Sequence, residues 1–294
     1  MSTLKIGSDI VGIPWKVVKK QIHWRDTTNY AASLNDMNPH YIDDERPGGI
    51  VASPMFAVTL GWPLAQKIHE QVEMPYPQEV FDQTVHYTAY IDYERLIRPG
   101  ETVTVFPTIC TVAPRKSGTY LVYKFVVTDE DGKLIHTEYM GVMLRGVACL
   151  DAGKGEESTP STKPLKAETV LWESSIPVSR AFPYVYDGCT GIVFDIHTSP
   201  KFAHSVGLPD ILVQGTTTVA FGVRELINKE AGGDPGRVKA LGGRLTAMVF
   251  PDTEIKVQLL EKHVTPEGTD LHFQVVNQEG QVALSHGYVK LVNN

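Results

Sequence analysis

The stretch GTTTVAFGVRELINKEA, residues 215–231, is long enough for a helix and is apolar on most of its faces. A helix of this kind is predicted to lie buried against a sheet. Strand-like runs follow it at residues 248–257 (MVFPDTEIKV) and 269–292 (TDLHFQVVNQEGQVALSHGYVKLV). The alternation of apolar residues in the last run is interrupted at Glu279-Gly280, which predicts a β-hairpin.

The same order of features occurs earlier in the chain. Residues 54–72 (PMFAVTLGWPLAQKIHEQV) form a second helical candidate, in which Pro63 is a candidate kink. Strand-like runs follow at 96–105 (LIRPGETVTV) and 119–146, the latter with a turn at Asp131-Gly132. A buried helix followed by antiparallel strands, occurring twice, predicts an α+β fold of the double hotdog type: two antiparallel sheets, each wrapped around a central helix.

A polar stretch separates the two halves. Residues 151–167, DAGKGEESTPSTKPLKA, lack aromatic and β-branched apolar residues and predict a solvated linker. The predicted domains are therefore residues 1–150 and 168–294. Two unrelated α+β domains are the alternative, which is disfavoured because the turns recur in matching order.

Composition narrows the class of function. The chain has 294 residues, of which 42% are hydrophobic, and a net charge of −7 without any large Lys/Arg cluster, so a nucleic-acid partner is not expected. Three widely spaced cysteines suit a reducing compartment. No apolar run reaches the ~18 residues of a membrane span, and the N-terminus does not resemble a signal peptide. A cytoplasmic protein without membrane contact is expected.

Residues 196–218, IHTSPKFAHSVGLPDILVQGTTT, carry the most informative motif. They resemble the signature of MaoC-like dehydratases and type-2 enoyl-CoA hydratases, roughly D-x-N-P-[LI]-H-x-[DST]-P-x-x-A-x-x-x-G-[FL]-x-x-x-[IL]-x-[HQ]-G. The step from the histidine to the final glycine matches that of the family. The matching residues are Ile196, His197, Pro200, Ala203, Gly207, Leu208, Leu212 and Gly215.

The resemblance implies hydration of a 2-enoyl-CoA thioester, or the reverse dehydration, with no cofactor and no metal. In the family, an aspartate five residues before the histidine shares the proton transfers with it. The backbone N–H of the final glycine, at the start of a buried helix, faces the thioester oxygen. His197 and Gly215 are the corresponding candidates here. Gln214 and Thr216, on either side of Gly215, are predicted substrate contacts.

The sequence departs from the family pattern at the acidic position. Ile192 stands where the family has its aspartate, and Phe194 stands where it has an asparagine. Asp195 and Asp187 are nearby acids. If the segment is extended, Asp195 and His197 share a face, so Asp195 is the candidate helper that orients or charges the histidine. Asp187 would have to approach from the preceding turn.

The N-terminal half shows the complementary departure. Residues 30–56, YAASLNDMNPHYIDDERPGGIVASPMF, resemble the N-terminal dehydratase domain of the same family and keep Asp36, but Tyr41 takes the histidine position and Ser53 the glycine position. The resemblance implies a degenerate copy that accommodates the acyl tail. Tyr41 and Phe56 are therefore predicted substrate contacts.

The shorter segment between Tyr41 and Ser53 predicts an open apolar cleft at the N-terminal helix, lined by Met55, Phe56, Leu60 and Trp62. Asp36 more readily braces the turn than transfers protons. Two rival functions remain, a hotdog acyl-CoA thioesterase and a non-catalytic acyl-CoA-binding subunit. A homodimer is a further possibility.

Overall fold

A computed structural model describes residues 4–155, 160–165 and 169–293. The helices within these ranges are α1 (Trp24–Ser33), α2 (Pro39–Ile42), α3 (Val58–Gln66), α4 (Ile68–Gln71), α5 (Gln78–Phe81), α6 (Phe182–Thr190), α7 (Asp195–Thr198), α8 (Pro200–Ser205) and α9 (Gly215–Glu230). The strands are β1 (Lys5–Ile6), β2 (Val18–Gln21), β3 (Thr84–Tyr93), β4 (Thr102–Arg115), β5 (Gly118–Thr128), β6 (Leu134–Arg145), β7 (Ala148–Cys149), β8 (Lys154–Gly155), β9 (Trp172–Val178), β10 (Val238–Leu245), β11 (Thr253–Thr265), β12 (Gly268–Val276) and β13 (Val282–Val292).

The helix predicted at residues 215–231 is α9, which ends one residue earlier. It contacts β10, β11, β12 and β13, so the second half of the chain wraps its strands around this helix. The helix predicted at residues 54–72 is instead divided into a 3₁₀ turn at Pro54–Ala57 followed by α3 and α4. Pro63 lies inside α3, and the chain leaves helical geometry at Lys67 (φ −108°, ψ 40°), so the interruption falls after the proline.

Both predicted hairpin turns are present. Gly132 lies between β5 and β6 with φ 77°, and Gly280 lies between β12 and β13 with φ 75°. Glycine occupies this left-handed region without the steric penalty that a Cβ would bring. The acidic-glycine pairs in the sequence therefore mark equivalent turns in the two halves.

The strands of the two halves form one sheet. Its hydrogen-bonded order is β2-β4-β5-β6-β3-β10-β13-β12-β11-β9, and β8 pairs with β4 off this path. The halves meet where β3 and β10 run antiparallel, with Asp92 opposite Ala240 and Thr88 opposite Arg244. The predicted double hotdog is confirmed, and its two sheets are continuous through this β3–β10 pair.

The segment predicted to be a solvated linker is partly structured. Lys154–Gly155 pairs with Val112 and Thr111 of β4, and the Thr162 hydroxyl donates to the His286 carbonyl. A polar segment still carries backbone groups that can extend a sheet edge, and composition does not report this. Residues 156–159 and 166–168 of the segment lie outside the described residues.

Two further helices bring the motif segments together. Helices α1 and α6 pack on each other, and the Tyr30 and Tyr186 rings meet edge to face with centroids 6.0 Å apart. The chain continues from α1 to Asp36 and from α6 to His197. Each of the two family-like segments, residues 30–56 and 196–218, therefore belongs to or follows one of the helices in this contact. Among the described residues, no helix has both the length and the apolar character needed to cross a membrane.

Candidate active site

Helix α9 begins at Gly215, and its first N–H has no acceptor among the described residues. Gln214, the residue before it, places no side-chain cap on the helix. The N-terminus of a helix presents unpaired N–H groups and the positive end of the helix dipole. This end of α9 can therefore stabilise an oxygen atom that acquires negative charge.

Gly215 is closely packed against its neighbours. A Cβ there would lie 2.6 Å from Leu245 Cδ1 and 3.5 Å from His86 Nδ1. Ordinary carbon–carbon contacts are about 3.5–4.0 Å, so a side chain at this position would displace Leu245. Both neighbours come from strands at the junction of the two halves, Leu245 from β10 and His86 from β3.

His197 is tied to the segment that leads into α9. Its Nδ1 lies 2.8 Å from the Leu212 carbonyl oxygen, and the Leu212 N–H donates to the Ile196 carbonyl over 3.0 Å. A carbonyl only accepts, so Nδ1 carries the proton and Nε2 holds a lone pair. Burial lowers the pKa of His197 to about 4, so the ring is neutral at neutral pH. His197 can therefore act as a base through Nε2.

Asp195 does not orient His197. The segment was expected to be extended, but Asp195–Thr198 forms the single-turn helix α7, in which residues two apart point to different sides. Asp195 is exposed, and the Leu212 carbonyl, not Asp195, engages the histidine Nδ1. Asp187 lies on α6 with one carboxylate oxygen buried and without a partner among the described residues, and burial raises its pKa.

The side chains beside Gly215 are engaged with α6. The Gln214 Nε2 donates to the Pro183 carbonyl over 2.9 Å, and the Thr216 hydroxyl lies 3.0 Å from the Tyr186 hydroxyl. Both side chains are buried. These contacts fix the start of α9 against α6, and the predicted substrate contacts of Gln214 and Thr216 remain predictions.

In the N-terminal half, Tyr41 and Phe56 are buried in the core. The Phe56 ring packs edge to face on Tyr30 at 5.8 Å. The predicted apolar cleft is not open, because its expected lining residues are at most 5% exposed and lie in the hydrophobic core: Met55, Phe56, Leu60 and Trp62. These side chains pack into the core where the shorter segment between Tyr41 and Ser53 had predicted open space.

Asp36 lies in a polar depression between the two halves. A cavity of about 410 Å³ is lined by Asn35, Asp36, Met37, Asn38, Arg224, Glu225 and Asn228. Burial raises the pKa of Asp36 to about 6, and its carboxylate accepts a 3.3 Å hydrogen bond from the Asn38 N–H. Arg224 is held by Glu225 and by the Leu34 carbonyl. The acidic residue of the family pattern thus survives in the half that lacks the histidine.

His86 lies next to Gly215 and was not foreseen from the sequence. It belongs to the alternating run of β3, and nothing in its spacing connects it with the motif at residues 196–218. The Trp62 ring packs against His86 at 5.1 Å and against Phe194 at 5.5 Å, and Phe194 in turn packs against His197 at 6.2 Å. The aromatic pair of Trp62 and Phe194 therefore contacts both histidines.

Metal ligation is not supported by the side chains that the structure describes, because they include no group of three or more His, Cys, Asp or Glu arranged to hold an ion. The chemistry available near Gly215 is thus a helix N-terminus with two neutral histidines. This set can stabilise an oxyanion and transfer a proton.

Two family models match the chain, one in each half. Residues 9–138 match the model of the FAS1-like dehydratase domain region, and residues 162–284 match the model of the MaoC like domain. The peroxisomal multifunctional enzyme type 2 of Drosophila melanogaster is 23% identical over 257 residues, covering 84% of this chain and 41% of that protein. A Dictyostelium discoideum protein named “Probable enoyl-CoA hydratase 2” is 22% identical over 185 residues, covering 61% and 60%.

Among solved structures, a MaoC-like dehydratase from Phytophthora capsici superposes with a TM-score of 0.83 at 20% identity and covers 97% of this chain and 98% of its own. This likeness establishes a shared fold. The chain spans less than two thirds of the length of the curated relatives it matches.

Proposed function

We propose that this chain acts as a MaoC-like dehydratase and reversibly adds water to a 2-enoyl-CoA thioester. In the reverse direction it would dehydrate a 3-hydroxyacyl-CoA. Its N-terminal half matches a FAS1-like dehydratase region and its C-terminal half matches a MaoC like domain. The observation that carries the proposal is the link between His197 and the start of α9. The histidine binds the Leu212 carbonyl, three residues before a helix-opening glycine whose N–H is free of acceptors among the described residues.

The chemistry needs an electrophilic site and a base. As water bonds to C3 of the enoyl group, negative charge moves to the thioester oxygen. The Gly215 N–H would donate a hydrogen bond to that oxygen, aided by the α9 dipole. The neutral His197 would take a proton from water at Nε2 and return it to C2.

The acyl-CoA thioester is the proposed partner. The proposal has three further parts: an acyl-tail role for the N-terminal half, formation of a homodimer, and substrate contacts at Gln214, Thr216, Tyr41 and Phe56. The cytoplasmic location stays a prediction, and the Drosophila relative is named as a peroxisomal enzyme.

A panel of 2-enoyl- and 3-hydroxyacyl-CoA thioesters of different chain lengths tests the proposal. Each is assayed for the change in enone absorbance and, separately, for release of free thiol. A hydratase changes the absorbance without releasing thiol. Thiol release would identify the thioesterase alternative, and tight binding without turnover would identify a binding subunit.

Two variants test where the reaction takes place. His197→Ala should lower kcat by ~10²–10⁴-fold, the usual contribution of a general acid/base. Asp36→Asn is the matched control from the other half and should change kcat by less than about threefold, because the site that its half retains lacks the family histidine. Loss of activity in Asp36→Asn together with tolerance of His197→Ala would move the active site to the N-terminal half.

A further inference from the structure

His86 has a buried ring nitrogen with no partner next to the first residue of α9. Its Nδ1 has no hydrogen-bond partner among the described residues and lies 3.5 Å from the position that a Cβ on Gly215 would occupy. Buried polar atoms in folded proteins are nearly always paired, so an unpaired one needs an explanation. His86 therefore brings an unpaired acceptor next to the residue that opens α9, and a ligand bound there would supply the missing partner.

The protonation of His86 is fixed by its other nitrogen. Its Nε2 lies 3.2 Å from the Thr88 carbonyl oxygen, which can only accept, so Nε2 carries the proton and Nδ1 is an acceptor. Burial lowers the pKa of His86 to about 4, and the ring is neutral at neutral pH. The Trp62 ring packs against the imidazole nearly at right angles, with ring centroids 5.1 Å apart, and restricts its movement.

The two positions of the motif segment where an acid was expected supply no second acceptor. Ile192 occupies the position of the family aspartate and is buried, and Asp195 is exposed on α7. His197 offers one lone pair, at Nε2, because its Nδ1 is engaged by Leu212. A water molecule has two O–H bonds, and fixing its orientation requires an acceptor for each.

We propose that His86 Nδ1 is the second acceptor for the water that adds to the thioester, in place of the carboxylate absent at Ile192. This inference rests on the proposed hydratase function. A residue of the N-terminal half then completes a site whose other groups belong to the C-terminal half.

The step balances without another reactant. One O–H of the water donates to His86 Nδ1, and His197 Nε2 takes the proton of the other O–H as oxygen bonds to C3. The C2–C3 π electrons move through C1 to the thioester oxygen, which the Gly215 N–H stabilises. The enolate then takes the proton from His197 at C2, and both histidines end neutral.

Two substitutions at position 86 separate this role from a structural one. His86→Gln places an amide nitrogen near the original Nε2, so it can keep the bond to Thr88 while losing the acceptor at Nδ1. His86→Asn places an amide oxygen near the original Nδ1, so it can keep that acceptor while losing the bond to Thr88. His69→Gln is the matched control, since His69 is exposed and its Nε2 likewise contacts a backbone carbonyl, that of Tyr76.

The measurements are kcat, KM and the midpoint of thermal unfolding, with the enoyl-CoA that the wild type hydrates fastest. We expect His86→Gln to lower kcat by ~10–100-fold, at or below the lower end of general acid/base effects, with KM within about twofold and an unchanged midpoint. His86→Asn should retain more activity than His86→Gln, and His69→Gln should match the wild type.

The reverse order, with His86→Asn less active than His86→Gln, would assign His86 a structural role at Thr88 and overturn the inference. Full activity of His86→Gln would overturn it too. An inactive wild type across the thioester panel would instead refute the proposed function, so the two failures are distinguishable.

Discussion

Replacing Gly215 by alanine tests whether this residue serves packing, catalysis or both. The backbone at Gly215 is not in the left-handed region, so a Cβ is limited only by its neighbours. That Cβ would lie 2.6 Å from Leu245 Cδ1, about 1 Å closer than an ordinary contact. Overpacking of this kind costs about 1–3 kcal/mol, so the free energy of unfolding should fall by that amount.

The same methyl group would also lie 3.5 Å from His86 Nδ1, on the side from which the proposed thioester would reach the Gly215 N–H. Displacing a reacting group by about 1 Å can cost ~100-fold in rate. Gly215→Ala should therefore lower kcat/KM for enoyl-CoA hydration by about two orders of magnitude.

A second variant, Leu245→Ala, separates the two effects. In the Leu245→Ala background the clash is gone, so Gly215→Ala should no longer lower the free energy of unfolding measured by urea denaturation. The loss in kcat/KM should persist, because the methyl still occupies the substrate space. Recovery of activity in the double variant would show that Gly215 serves packing alone, and full activity of Gly215→Ala would place the oxyanion site elsewhere.

Other expected outcomes concern pH and the buried acids. Burial lowers the pKa values of His86 and His197 to about 4, and both rings must be neutral to act as acceptors. The value of kcat/KM should therefore stay constant from pH 8 to about 5 and fall at lower pH. A fall centred near pH 6.5 would contradict the burial of these histidines. Burial raises the pKa of Glu138 from 4.5 to about 8, so the native state keeps a proton that the unfolded chain releases, and stability falls as pH rises from 4.5 to 8. Glu138→Gln should remove this fall, so the difference in unfolding free energy between the variant and the wild type, measured by urea denaturation, should be a few kcal/mol more favourable to the variant at pH 9 than at pH 5. If the unfolding free energies of the two proteins change with pH in parallel, the assignment is refuted. Burial raises the pKa of Asp36 to about 6, so stability should also fall as pH rises from 3.8 to 6, and Asp36→Asn should weaken that dependence; an unchanged slope between pH 4 and 6 would speak against it.

Local patterns in the sequence determined the main elements of the fold. The apolar run at residues 215–231 predicted α9, because helix formation and burial depend on residues within a few turns of one another. The acidic-glycine pairs at Gly132 and Gly280 predicted both hairpins, because left-handed backbone angles are a property of the single residue. Their recurrence in matching order was enough to predict a double hotdog.

The sequence also predicted where the chemistry takes place, and that prediction is part of the proposal. The spacing of His197 and Gly215 resembles that of the MaoC-like family, and this resemblance predicted their roles. In the structure, a hydrogen bond joins His197 to Leu212, three residues before Gly215. The role of Asp195 was predicted from an extended segment, which is instead the turn of α7. Four residues carry too little periodic signal to separate a helical turn from a strand.

Only the tertiary structure brought His86 to the start of α9. Residues 86 and 215 are far apart in the chain, and they meet because β3 pairs with β10 at the junction of the halves. The filling of the expected cleft by Met55, Phe56 and Trp62 was decided at the same level. Strand pairing and core packing depend on the surfaces that distant segments present to one another, and no pattern within one segment contains that information.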